Sequence, residues 1–200
     1  MTDKAPTLDF GPQARVVARL VAGVPDHLLA APTPCPDYSV RDLLAHLAGL
    51  AVAFRDAARK HLGPTTDTAP DAARPTLPGR WREELPQVLD ELAGAWNDPA
   101  AWTGMTRAGG IDLPGGVAAA VAADELVIHG WDLARATGQE YAPDQAALHT
   151  AYAFLLAAVD DEGRAGIFGP VVPVPDDAPL LDRAVGLSGR DPAWTPPPSP

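Results

Sequence analysis

Residues 115–138 read GGVAAAVAADELVIHGWDLARATG, a run that predicts one long helix over about 115–137. Arg135 falls in its last turn, where a cation suits the helix dipole, and Gly138 stands where a left-handed cap is expected. Glu125 and His129 are four residues apart, so their side chains leave one face a turn from each other. Ala118, Val121, Ala122, Asp132 and Ala136 share that face. A solvated face would carry long charged side chains, and a plain core face Leu and Ile. Small residues around three polar groups leave room for another helix and for an ion between the two.

The flanking segments supply further helices. A first is expected from Pro12 to about Leu29, with Val16, Val17, Leu20, Val21, Val24 and Leu28 as its stripe and Pro25 placed to kink or shorten it. APTPCPDY at 31–38 holds three prolines and reads as an extended connection. Ser39 is a candidate N-cap, with Asp42 in the capping-box position as a shorter stand-in for Glu. The helix it opens, about 40–60, carries Val40, Leu43, Leu44, Leu47, Leu50, Ala51 and Phe54 on one face. After a polar loop at 62–79, Trp81, Leu85, Val88, Leu89, Leu92 and Trp96 mark a third helix that Pro86 threatens to interrupt. The pattern fails over 98–112, where a turn or short extended piece ends at Pro114, and Gly109–Gly110 and Gly115–Gly116 read as turn punctuation. Beyond the long helix, another runs from Pro143 to about Asp160, and a short one spans 178–188 between Asp177 and Gly189. With few β-branched alternations, the expectation is an all-α bundle over 1–162 and a proline-rich extension with one short helix over 163–200.

His46 lies at the edge of the Leu43/Leu47/Leu50 stripe and so faces the bundle interior or its rim. If its helix neighbours the long one, two imidazoles and one carboxylate converge, a ligand set suited to zinc or a similar ion with a position left open. Spacing by itself also allows a plain core histidine beside a helical polar pair, because E-x-x-x-H is common. Neither H-E-x-x-H nor a repeated E-x-x-H of the di-iron kind is present. Asp132, one turn past His129, is a candidate fourth ligand or the group that orients an imidazole, the outer-shell role being favoured, or else it caps or pairs with Arg135.

PTPCPDYSVRDLLAHLAGL at 32–50 and DELVIHGWDLARATGQ at 124–139 resemble the DinB-like superfamily. Within it they are similar to metal-binding proteins related to the N-terminal domain of mycothiol-dependent maleylpyruvate isomerase. FGPVVPVPDDAPLLDRAVGLSGRDP at 168–192 is similar to the ending of one subgroup, so the resemblance covers nearly the whole chain. It implies a four-helix bundle with a divalent ion near one end. His46 of the D-L-L-x-H-L motif, Glu125 and His129 would be the ligands. Zinc is the expected ion, with nickel or another divalent ion as alternatives, and mycothiol the implied thiol cofactor. The isomerase resembled here has a further folded C-terminal α/β part. This chain has only about forty residues after its last long helix, so the isomerase activity is not carried across.

Composition narrows the rest. A formal charge of -11 without a basic cluster argues against nucleic acid and anionic lipid as partners. No apolar run approaches the roughly 18 residues that span a bilayer, and the first ten residues do not read as a secretory signal. A single cysteine fits a reducing compartment, and the cytoplasm is the expected address. Cys35, between prolines, reads as packing in a stiff connection rather than as a nucleophile, and Trp131 as packing. His27, His61 and His149 read as surface histidines. Two functional classes remain: a thiol-dependent transferase or isomerase acting on an electrophilic substrate, and a metal-dependent binding or sensing protein without turnover. For the first, the loops at 62–79 and 98–116 are the expected selectors of the electrophile.

Overall fold

Gly23 and Pro25 end the first helix well before its apolar stripe runs out, so α1 spans Gly11–Ala22 rather than reaching Leu29. Pro25 has no N–H to donate and biases Val24 away from helical geometry, and a 3-10 turn at Asp26–Leu28 follows. The computed structural model describes residues 7–69, 76–159 and 168–197. α2 (Val40–Ala58) starts on the Ser39/Asp42 capping box. It stops where Lys60 turns left-handed, φ +57°, and the His61 N–H returns to the Asp56 carbonyl at 2.9 Å. The expected loop at 62–79 contains a one-turn helix, α3 (Pro64–Asp67), and part of it lies outside the described residues.

α4 (Trp81–Trp96) passes through Pro86 without a break. The proline lies near the helix start and removes one hydrogen bond, while buried Leu85, Leu89 and Leu92 hold the turns on either side. The short extended piece expected before Pro114 is a hairpin, and the fold is otherwise helical. β1 (Met105–Ala108) and β2 (Ile111–Pro114) form a small antiparallel sheet with Ala108 paired to Ile111. Gly109 and Gly110 both have positive φ, +59° and +78°, as a two-residue hairpin turn requires. α5 (Gly115–Thr137) matches its expected span and ends on Gly138 at φ +68°. α6 (Gln145–Ala157) and α7 (Leu180–Leu187) complete the set, each shorter than expected; Asp160 lies outside the described residues.

α1 and α2 each pack on both α4 and α5, and one apolar core fills the space between them. A second core, built from Val127, Ile128 and Trp131 with α6 and α7, covers the other side of α5. The long helix is therefore buried on nearly every side. A polar side chain in such a helix must be paired, neutral or a ligand.

Candidate metal centre

Two helices bring the predicted residues together. The Ser39 hydroxyl accepts from the Asp42 N–H at 3.3 Å, the Asp42 carboxylate accepts from the Ser39 N–H at 3.0 Å, and α2 is thereby fixed two turns before His46. On α5, fully buried Ala118, Ala119, Ala122 and Ala123 let α1 and α2 pack close. One oxygen of Glu125, Oε2, then lies 3.3 Å from His46 Nε2 and 3.1 Å from His129 Nε2. The three ligand-type atoms fall within 4.8 Å of one another. The rings stand nearly perpendicular, centroids 4.7 Å apart. Two tetrahedral ligands bound at about 2.0–2.2 Å sit about 3.3 Å apart, which the two carboxylate–imidazole spacings match, so the donor set suits a divalent ion. Glu125 keeps 24% of its side chain exposed, which leaves the cluster open to solvent on one side.

Asp132, with no exposed side-chain surface, accepts from His129 Nδ1 at 2.9 Å through Oδ2. That oxygen also accepts from Arg190 Nη2 at 3.0 Å, and Oδ1 accepts from Arg190 Nε at 3.2 Å. Arg135, the alternative partner for Asp132, instead donates to the Trp194 carbonyl. With its Nδ1 engaged on a carboxylate, His129 turns Nε2 toward Glu125 and His46.

The electrostatics follow from burial and pairing. Burial works against ionising Glu125, yet hydrogen bonds from His129 and His46 outweigh it and hold the carboxyl well below its usual range. Burial likewise works against a charged His129, but the Asp132 and Glu125 carboxylates raise it to about 9. Metal uptake would therefore displace a proton from His129. Next to this pair, Asp124 is pushed well above the carboxylate range by burial and by the Glu125 charge, and one of its buried oxygens has no hydrogen-bond partner.

The 31–38 connection lies over the cluster. The Tyr38 ring is 5.3 Å from His46 and 6.5 Å from His129, and buried Thr33 takes the Cys35 N–H on its hydroxyl. Burial pushes the Cys35 thiol up to about 11, against the pull of the Arg190 guanidinium, and its sulfur is not part of the three-residue cluster. Trp131 packs away from the ligands in the second core. His27, His61 and His149 are exposed. The loop at 98–116 is not beside the site. Thr106 donates to the Ala57 carbonyl at the far end of α2, about 16 Å of helix from His46. The α3 turn also packs there, against the hairpin.

Two participants escaped the sequence reading, Asp124 and Arg190. Asp124 carried a signal, since it lies inside a helix apolar on both sides of the D-E pair. Arg190 is 58 residues from Asp132 in a proline-rich tail, and no local pattern connects the two.

The family model for the mycothiol maleylpyruvate isomerase N-terminal domain matches residues 10–134. Two uncharacterized proteins of Mycobacterium tuberculosis, from strains CDC 1551 / Oshkosh and ATCC 25618 / H37Rv, are each 27% identical over 175 residues. Each match covers 86% of this chain and 91% of the relative. No solved structure matches. No helix among the described residues is long and apolar enough to cross a membrane.

Proposed function

The chain belongs to the mycothiol maleylpyruvate isomerase N-terminal domain family, within the DinB-like superfamily, and from that premise we propose that it holds one divalent ion on His46, Glu125 and His129 and acts on a small-molecule thiol. In this reading α1, α2, α4 and α5, each packed on two of the others, are the DinB-like four-helix bundle. One observation carries the site assignment: two imidazole nitrogens from different helices meet a single carboxylate oxygen at 3.1 and 3.3 Å. Zinc is the ion this donor set suits best.

When bound, a divalent ion lowers the pKa of a thiol and supplies a Lewis-acid position for it. The side chains prepare that position. Asp132 keeps the His129 Nε2 turned inward, Tyr38 shields the imidazoles, and the exposed edge of Glu125 leaves an approach. Cys35 is not among the side chains whose ligand atoms converge, so it is not taken as the reacting sulfur. The thiol therefore comes from outside the chain, and the family's own description names mycothiol. A thiol-dependent transferase or isomerase acting on an electrophile in the cytoplasm is the resulting function.

The test uses untagged protein, its elemental analysis, and calorimetry with mycothiol on zinc-loaded and cobalt-substituted samples. About one ion per chain, heat on adding mycothiol, and a sulfur-to-cobalt charge-transfer band are expected, with both thiol signals lost in His129→Ala. Metal content near zero, without uptake of added zinc or nickel at neutral pH, sinks the metal assignment. Metal without heat or band at millimolar thiol removes the thiol chemistry and leaves a metal-dependent binding protein.

A further inference from the structure

Arg190 lies well beyond residue 134, where the family match ends, yet its side chain, only 12% exposed, pairs with Asp132 behind His129. The turn after α7 accounts for this. Gly189 adopts φ +85°, its N–H bonds the Gly186 carbonyl at 3.0 Å, and the Arg190 N–H bonds the Val185 carbonyl at 3.1 Å. These are the paired bonds of a Schellman cap, which sends the chain sharply off the helix axis. A Cβ on Gly189 would stand 2.8 Å from the Gly169 backbone, so the position admits only glycine. Arg190 then donates through Nε and Nη2 to both oxygens of Asp132, and through Nη1 to the Ser188 carbonyl at 3.1 Å. From the other side, Arg135 of α5 donates to the Trp194 carbonyl and ties the following turn down.

A carboxylate gripped on both oxygens by a guanidinium can only accept. His129 Nδ1, 2.9 Å from Asp132 Oδ2, must therefore carry a proton and donate it, which leaves Nε2 as the ring atom available to a metal once its own proton is displaced. α5 also carries Asp124 and Asp132 in its buried stretch, and the Arg190 guanidinium that pairs with Asp132 also acts on Asp124. We propose that Arg190 is a positioning residue, and that the C-terminal segment carrying it sets the orientation and tautomer of His129 through Asp132. This rests on His129 being a metal ligand, as proposed above. It makes the tail a working part of the metal centre.

Arg190→Met and Arg190→Lys in the full chain test this with two readouts. The first is zinc affinity by competition with a chromophoric chelator. The second is the His129 Nδ1–H proton in nitrogen-edited NMR, in metal-free and zinc-loaded protein. The wild type should show a downfield, slowly exchanging proton. In Arg190→Met that proton should exchange fast and zinc binding should weaken by about 10–100-fold, as for other outer-shell losses, with a smaller loss in Arg190→Lys. Wild-type affinity together with a protected proton in Arg190→Met overturns the proposal. A wild type that takes up no zinc refutes the metal assignment instead, and the proton signal in metal-free protein then decides the role of Arg190. Should Arg190→Met not fold, Arg190→Gln, which keeps a donor but no charge, replaces it with the same two criteria.

Discussion

Glu125 Oε2 is shared by two imidazoles, so deleting any one of the three groups leaves a cluster of two. His46→Ala, Glu125→Ala and His129→Ala should each abolish zinc uptake at micromolar protein. Asp132→Asn should keep the ion with an affinity lower by about 10–100-fold, because it changes how an imidazole is held and deletes no bond to the metal. It should also destabilise the fold by about 3 kcal/mol, since the buried Arg190 loses its charged partner. Chelator competition and urea unfolding on all four variants separate the two effects. An Asp132→Asn affinity as poor as that of the alanine variants would place Asp132 among the ligands. Glu125 and His129 were apparent as a pair because a four-residue spacing fixes their common face. Asp132 was recognised on the same face but without its partner, since no local periodicity points to a residue arriving from the tail.

α2 owes its start to one hydroxyl. Ser39→Ala removes the acceptor for the Asp42 N–H and half of the reciprocal box, which should cost about 1 kcal/mol and lower the melting temperature by about 2–4 °C. Differential scanning calorimetry checks this, and an unchanged melting point would mean that tertiary packing alone holds the helix start. The elements whose ends carry stereochemical signals were the ones read correctly. α5 ends on a glycine that can turn left-handed, and α2 begins on a capping box. The apolar stripe of α1 outruns the helix, because Val24 and Leu28 continue it past the point where Gly23 and Pro25 stop the backbone. In that case chain geometry overrode periodicity. The hairpin escaped for the opposite reason. MTRA has no apolar alternation and Ile111-Asp112-Leu113 is too short a one to signal a strand, and the sheet is held by its glycine turn, by Thr106 on Ala57, and by Arg107 bridging Asp67 and Asp112.

For the molecule as a whole, the placement of ionisable groups in a doubly buried helix makes the pH dependence of stability differ with and without metal. In metal-free protein His129 is raised to about 9 from an ordinary value of 6.5, by its carboxylate partners and against burial. The folded state therefore holds that proton more tightly than the unfolded chain. Its contribution is complete below pH 6.5 and is lost as pH rises through 9. At about 1.4 kcal/mol per pH unit, the loss is on the order of 3 kcal/mol. Glu125 and Asp132 are lowered, so what they contribute is present above their ordinary values of 4.5 and 3.8 and disappears on acidification. Metal-free protein should thus be most stable between about pH 5 and 6.5 and weaken toward pH 9. Zinc needs the neutral imidazole, so its binding tightens as the proton leaves, and ligand-linked stabilisation grows with affinity, reaching about 4 kcal/mol at a thousand times the Kd. Melting curves at pH 6, 7.5 and 9, with a slight molar excess of zinc or with chelator, should therefore diverge as pH rises. Parallel curves would show that zinc and the His129 proton do not compete, and His129 would lose its place as a ligand.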